Sequence, residues 1–250
     1  MFKLPTATPL TTEEALHNGR TALGILFEQM KAQEPSPAKK PSKVGFNQFA
    51  SGFGDRDSSI TLLTRLAARG SAGLDDVMPK EEGDDKPADA ALGNEVRDWL
   101  HAYIVDDFRK RIDIAVAWLC EEWYSDRVQQ LRSPDNDSSP PAHYEKLALK
   151  LLDGMLPYFH PQDRILTRFL GEIPQITPGI LARVKQMCRD PTLVGLALTS
   201  LLYVVMMKPP VQEVALDTIE AIWTECKFCD ELLVMTGSLL MIIQTRMRGR

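Results

Sequence analysis

The sequence predicts an all-α protein built of antiparallel helical hairpins stacked as a HEAT-like α-solenoid, with disordered linkers between its helical parts. Three observations indicate this fold class. Runs with apolar residues at helical spacing recur along the chain, and short proline-containing turns separate them from Tyr144 onward. Turns of this length force neighbouring helices to run in opposite directions. Taken in pairs, the helices begin about every 34 residues, a period typical of two-helix solenoid repeats.

Six helices are predicted in this stack: Tyr144–Tyr158, Gln162–Glu172, Pro178–Arg189, Thr192–Met207, Val211–Glu225 and Asp230–Arg246. Thr177-Pro178 and Asp190-Pro191 have the chemistry of helix starts. A side-chain oxygen at the N-cap accepts a hydrogen bond from a free amide, and proline in the first turn loses nothing by lacking an N–H. Leu193–Met207 is apolar nearly all round, which predicts a helix covered by neighbours on both sides.

The first half of the chain is predicted to contain further helices. Thr11 and Glu14 form a capping-box pattern that begins a helix of about five turns, and Pro35 ends it. A second helix is expected at Ile60–Arg69. Two more are expected between Leu92 and Arg132, with a bend near Val105–Asp107.

The linkers follow from composition. Residues 73–95 carry eight carboxylates against two lysines, a formal charge of −6, and together with Gly and Pro this predicts a mobile acidic loop. Residues 133–141 contain loop-forming residues and no apolar one. Four segments are therefore expected: an N-terminal helix with a Pro-, Lys- and Gly-rich linker (1–57), a helical segment with the acidic loop (58–132), a linker (133–141) and the helical-hairpin stack (142–250).

Charge and cysteine content limit the class of function. The 250 residues carry a net charge of −5, which disfavours direct high-affinity binding of nucleic acid, so any RNA contact is expected to be indirect or weak. Four cysteines are too few for a disulfide framework and indicate a reducing compartment, and Cys120 and Cys188 are expected to be buried. The apolar runs Leu193–Met207 and Leu232–Ile243 fall short of the roughly 18 residues of a membrane span.

No catalytic pattern is found, so we expect a protein without enzymatic activity or cofactor. The sequence lacks nucleophile-elbow, zinc-protease, P-loop and dinucleotide-binding motifs. Cys226 and Cys229 have a metal-like spacing, but no second ligand pair accompanies them. Glu121 and Glu122 are adjacent and point about 100° apart on a helix, so a solvated edge beside a buried tryptophan is the expected arrangement.

Two groups of residues are candidate partner-binding sites. The first is Arg109, Lys110 and Arg111, which could bind phosphate or an acidic partner. The alternative is pairing within the helix to Asp106 and Asp107. The second group is Phe46, Phe49 and Phe53, three aromatics in the predicted linker that could form a docking motif or could pack locally.

Several segments together suggest a family. Their order is Thr61–Ala67, an acidic spacer, Phe108–Trp123, Arg183–Asp190 and Lys208-Pro209-Pro210. Across Ser59–Trp223 this order of helices, with its Trp and Pro positions, resembles the central region of the symplekin family in its fungal form, the scaffold of mRNA 3′-end cleavage and polyadenylation. Symplekin-like chains are longer at both ends, and Lys227–Arg250 departs from their pattern, as a truncated or wrongly spliced gene would.

The resemblance implies a non-enzymatic nuclear scaffold whose partners are protein subunits of the cleavage and polyadenylation complex. Such proteins hold together a cleavage endonuclease module, poly(A)-signal recognition factors and a phosphatase that acts on the polymerase tail. Two other classes stay open from the residues alone. One is a helical-repeat adaptor outside RNA processing, in transport or vesicle traffic. The other is a helical enzyme or redox or metal protein that uses Cys226 and Cys229.

Overall fold

A computed structural model describes residues 10–32, 54–70, 86–132 and 143–225, and all regular structure within them is helical. The predicted all-α class is confirmed. The described helices are α1 (Thr12–Ala32), α2 (Gly54–Gly70), α3 (Lys86–Asp106), α4 (Phe108–Arg132), α5 (Tyr144–Met155), α6 (Ile165–Glu172), α7 (Pro178–Met187), α8 (Val194–Met207) and α9 (Gln212–Glu225). Short 3₁₀ turns at Leu156–Tyr158 and Pro209–Val211 follow α5 and precede α9. The predicted helix Asp230–Arg246 lies outside the described residues.

The chain divides into two units, Met1–Tyr103 and Ile104–Arg250, so the predicted linker at 133–141 falls within the second of them. In the first unit, α1 begins with the predicted capping box. The Thr11 amide donates to Glu14 Oε2 at 3.0 Å, and the Glu14 amide donates to Thr11 Oγ1 at 3.3 Å. Two free amides at the helix start are thereby satisfied.

Aromatic stacking and one ion pair join α1 to α3 in this unit. The buried Phe27 ring stacks on Trp99 with centroids 5.6 Å apart, and Tyr103 lies against it at the same distance. Arg20 Nε donates to both carboxylate oxygens of Glu95, at 2.9 and 2.8 Å. The hydrogen bond from Arg20 is the main cause of the lowered pKa of Glu95.

In the first half of the chain, two helix starts differ from the sequence prediction. Helix α2 begins at Gly54 rather than Ile60, and α3 begins at Lys86 rather than Leu92, so residues 86–95 of the predicted acidic loop are helical. The mobile loop was predicted mainly from the negative charge of residues 73–95. The alanines at positions 88, 90 and 91 nevertheless favour a helix, and Pro87 falls in the first turn, where proline is tolerated. Residues 54–57 contain no apolar residue, so hydrophobic periodicity could not reveal that turn.

Helices α4 to α9 of the second unit form two layers. Helices α4, α6 and α8 pack side by side in one layer, and α5, α7 and α9 pack side by side in the other. Helices within a layer are parallel, because their matching ends meet. Thr177 Oγ1 at the start of α7 donates to Glu145 Oε1 at the start of α5 at 2.6 Å, and Lys185 Nζ near the end of α7 lies 2.7 Å from Glu225 Oε1 at the end of α9.

Consecutive helices therefore alternate in direction, which is the predicted arrangement of stacked antiparallel hairpins. The core between the two layers is apolar, and its largest fully buried side chains include Trp118, Leu151, Leu152, Met155 and Phe169. Glu122 is also fully buried, and its Oε1 accepts a hydrogen bond from Trp118 Nε1 at 3.0 Å. The prediction that Glu122 lies on a solvated edge is therefore wrong. It turns inward, where the indole N–H provides a partner.

The proline-containing turns divide into two kinds. Thr177 is the N-cap of α7, as predicted, and its Oγ1 accepts from the Ile180 amide at 3.3 Å. Asp190 does not cap α8. Its Oδ1 accepts from the Thr192 amide at 2.9 Å and closes a turn, so the helix begins only at Val194. An aspartate before proline can form either structure, because both need only an amide two or three residues ahead.

Helix α8 is less covered than its composition predicts. Most residues of its first three turns are buried, whereas Thr199 and, near its end, Tyr203, Met206 and Met207 are exposed. Among the described residues, no single helix is long and apolar enough to cross a membrane. Helix α8 and the segment Pro209–Glu225 reach that hydropathy only as a pair, across a bend of 116°.

Thr177→Ala is expected to lower the free energy of unfolding by about 1 kcal/mol, because it removes the N-cap acceptor of α7. It also removes the hydrogen bond to Glu145 that joins α7 to α5. Thr177→Ser keeps the oxygen and should cost only a few tenths of a kcal/mol. Urea unfolding followed by circular dichroism would measure both, and equal losses for the two variants would contradict the capping role.

Candidate protein-binding surface

The predicted basic cluster lies at the start of α4, where its side chains bind other parts of the same unit. Arg109 Nη2 donates to Asp163 Oδ2 at 2.7 Å and to the Tyr158 carbonyl at 2.8 Å. Its guanidinium also lies over the Phe108 ring, 4.7 Å from the centroid. Arg109 therefore ties the start of α4 to the turn between α5 and α6.

The other two cations of the cluster pair with the carboxylates that precede α4. Lys110 Nζ lies 2.5 Å from Asp107 Oδ2, and the buried Arg111 places Nη1 3.2 Å from Asp106 Oδ2. Asp106 and Asp107 are the two carboxylates that the sequence offered as partners of this cluster, as the alternative to binding a ligand. Binding of a partner by Arg109, Lys110 and Arg111 stays a prediction.

Arg109→Gln is expected to lower the free energy of unfolding by no more than about 1 kcal/mol, because the ion pair is partly exposed. Burial alone would raise the pKa of Asp163, but hydrogen bonds from Arg109 and the His160 amide outweigh it and hold the pKa below its usual range. The pair therefore contributes above the unfolded carboxyl's pKa, and the contribution disappears as pH falls through the folded pKa. Urea unfolding should show a larger deficit of the variant at neutral pH than at acidic pH, where only the hydrogen bond to the Tyr158 carbonyl and the contact with the Phe108 ring are lost.

The remaining sequence candidates lie partly outside the described residues. Phe46, Phe49 and Phe53 do so, as do Cys226 and Cys229. Cys120 is exposed and Cys188 is half-buried, so the expected burial of both thiols is wrong. Over the described ranges, no group of three or more His, Cys, Asp or Glu side chains is placed to hold a metal ion.

A groove along α7 of the second unit has a volume of about 820 Å³. Helices α5 and α9 form its two walls and α7 forms its floor, where Gly179 and Ala182 leave room because their side chains are small. Apolar side chains also contribute, including Leu149 from α5 and Ile222 from α9. We call this cavity the α7 groove.

Two cations of the α7 groove are tied to its walls. Arg183 Nε donates to Asp153 on α5, and Lys185 Nζ lies 2.7 Å from Glu225 on α9. The carboxylates are more exposed than the cations, 50% against 30% for the first pair and 66% against 32% for the second. Arg189, just past the end of α7, is exposed and makes no ion pair with another described residue.

A smaller cavity of about 320 Å³ continues the groove past the end of α7. It shares Arg183, Gln186 and Arg189 with the larger cavity, and these three residues lie at i, i+3 and i+6 along the chain. Its other side is formed by the 3₁₀ turn after α5 and by the turn before α8. The two cavities therefore form one elongated surface, and Arg183 and Arg189 lie where the cavities join.

The opposite layer presents a chemically different surface. Tyr203, Met206 and Met207 are exposed at the end of α8. Neither surface was named from the sequence. The i, i+3, i+6 spacing of Arg183, Gln186 and Arg189 could have indicated the groove. The exposed end of α8 could not be predicted in this way, because its exposure depends on which helices cover it.

Comparison with known proteins gives an informative likeness. No protein-family model matches the chain, and no solved structure matches it. The chain is similar to the mRNA cleavage and polyadenylation specificity factor complex subunit pta1 of Schizosaccharomyces pombe, with 30% identity over 214 residues. The likeness covers 83% of this chain but only 32% of pta1, so the chain spans about a third of the length of the protein that it matches.

Proposed function

Starting from the likeness to pta1, we propose that this chain is a non-enzymatic scaffold of the nuclear pre-mRNA cleavage and polyadenylation machinery. The observation that carries the proposal is the 30% identity over 214 residues to a protein named as a subunit of that complex. The similarity extends over most of the chain, so it concerns the helical stack and is not confined to one short motif. The resemblance to symplekin, seen in the order of the helices, supports the same assignment.

The architecture supports a scaffold that works through surfaces. A two-layer stack of helices presents long continuous faces, and each face can hold a partner without any catalytic constellation. Here one layer offers the α7 groove with its charged rim, and the other offers the exposed apolar end of α8. Two surfaces of different chemistry suit two different protein subunits, and neither has the basic character of an RNA-binding face.

The proposal is tested by capturing subunits from a nuclear extract of Schizosaccharomyces pombe on the immobilised chain, with ribonuclease present to exclude bridging by RNA. Mass spectrometry should find subunits of the cleavage and polyadenylation specificity factor complex enriched over the resin alone. Circular dichroism of the immobilised batch establishes that it is folded. A folded chain that recovers none of these subunits would refute the proposal.

A further inference from the structure

We propose that the α7 groove binds a largely apolar segment of a protein partner, and that Arg189 anchors an acidic residue of this segment. The inference rests on the proposed function and names the kind of chain held at one of its surfaces. It goes beyond the likeness to pta1, which assigns no surface and no residue. Three features of the groove support it: a cation that makes no ion pair with another described residue, a mixed lining and a sufficient length.

Arg189 indicates an anion as the ligand. It lies where the two cavities join, and it makes no ion pair within the described part of the chain. A guanidinium can bind a carboxylate through two parallel N–H···O hydrogen bonds, which gives direction as well as strength. Arg183 also lines both cavities, but its guanidinium already donates to Asp153 and Gln186. Arg189 is therefore the anchor for a bound carboxylate.

The lining favours a protein segment over RNA. Asp153 and Glu225 stand on the two walls, and Asp190 lies in the smaller cavity, so a continuous phosphate backbone would meet several carboxylates. Apolar side chains also contribute to both cavities: Leu149, Ala182 and Ile222 in the larger, and Leu156, Phe159 and Leu193 in the smaller. Such a surface matches a largely apolar peptide segment with an acidic residue placed at Arg189, away from the carboxylates of the walls.

The groove has the length of a short segment. From Gly179 to Arg189 the floor covers ten residue steps, which is about 15 Å at the rise of an α-helix. An extended peptide advances about 3.3 Å per residue, so roughly five of its residues would lie along the floor. The combined opening is wide on one side, which suits a segment laid into the groove more than an enclosed small molecule.

The test is selection from a random-peptide display library on the intact chain, with counter-selection on the Arg189→Glu variant. Enriched sequences should contain Asp or Glu together with aliphatic residues. A selected peptide should then bind Arg189→Glu at least about tenfold more weakly, because a hydrogen bond to a charged group is worth about 1.5–3 kcal/mol and 1.4 kcal/mol is a factor of ten. Fluorescence anisotropy would measure these affinities.

Two further variants make the result specific. Ala182→Trp fills the floor without changing charge and should also weaken binding by about tenfold, on the same scale as the loss at Arg189. Arg164→Glu is the matched control, because Arg164 is an exposed arginine of the same unit outside the groove, and it should leave the affinity unchanged. Both positions in the groove are exposed, so thermal unfolding should be little altered.

Several outcomes would overturn the inference. One is a selection that yields no peptide whose binding depends on Arg189. Another is the enrichment of peptides without acidic residues. A third is an equal loss of peptide affinity in Arg189→Glu and Arg164→Glu. Tighter binding of a single-stranded RNA oligonucleotide than of the selected peptide would assign the groove to RNA instead. The peptide selection uses no 3′-end processing factor. Its failure would refute the peptide-binding groove, whereas a failure to recover the complex from nuclear extract would refute the proposed function.

Discussion

Trp118→Ala is expected to lower the free energy of unfolding by about 3–5 kcal/mol. The indole is fully buried in α4 between the two layers, so its removal leaves a cavity that the surrounding helices can fill only in part. The variant also removes the Nε1 donor 3.0 Å from the buried Glu122 Oε1, and a buried carboxylate that loses a donor is costly. Urea unfolding followed by far-ultraviolet circular dichroism would measure the change.

Trp123→Ala is the matched control for this result. Trp123 lies on the same helix and also donates from Nε1, to Gln175 Oε1 at 2.9 Å, but it is half-buried. Its loss should be clearly smaller, because less apolar surface is returned to water. Equal losses for Trp118→Ala and Trp123→Ala would contradict the two-layer core.

Asp126→Ala is expected to lower the free energy of unfolding by about 2 kcal/mol, within the 1–3 kcal/mol cost of leaving buried amides without acceptors. Asp126 is nearly buried near the end of α4, and its carboxylate accepts hydrogen bonds from the amides at the start of α5. Its Oδ2 accepts from the Tyr144 amide at 2.8 Å and its Oδ1 accepts from the His143 amide at 3.2 Å. A carboxylate at this position also complements the positive end of the helix dipole.

Asp126→Asn should recover part of the loss, since one oxygen acceptor remains while the negative charge is gone. Asp153→Ala is the control, because Asp153 is exposed and its ion pair with Arg183 is expected to contribute at most about 1 kcal/mol. Hydrogen exchange adds a local readout, with faster exchange of the first α5 amides in Asp126→Ala. Unchanged exchange there would show that Asp126 does not hold the start of α5.

Much of the second unit follows from local sequence chemistry. Tyr144–Tyr158 was predicted to its last residue because apolar spacing and the following His160-Pro161 agree. The alternation of helix direction followed from short turns, and the structure adds that the helices of each layer are parallel. The start of α8 was missed because Asp190 can close a turn as readily as it can cap a helix.

Other features depend on contacts between distant residues, which one sequence does not contain. Tyr144 donates from its hydroxyl to the carbonyl of Gln175, a residue 31 positions away, and burial is the main cause of its raised pKa. A side chain at Gly171 would place its Cβ 2.8 Å from Tyr203 Cε1, so this glycine permits the close approach of α6 and α8. No spacing rule indicates either contact.

The candidate surface was harder to predict than the fold. The charged run Arg109–Arg111 stood out because its cations are adjacent, but all three pair with carboxylates of the folded chain, namely Asp163, Asp107 and Asp106. The cations of the α7 groove are spread over seven positions and are brought together with residues of α5 and α9 only by stacking. A surface of this kind belongs to the assembled layers and to no single segment.

As a scaffold, the chain is proposed to hold different subunits of the cleavage and polyadenylation machinery together. The most direct measurement is a bridging assay with two subunits that the chain captures separately. One subunit is immobilised, the second is supplied in solution, and recovery of the second is compared with and without the chain. The scaffold account predicts recovery only when the chain is present. Recovery that is equal without the chain, or competition between the two subunits for it, would contradict the account.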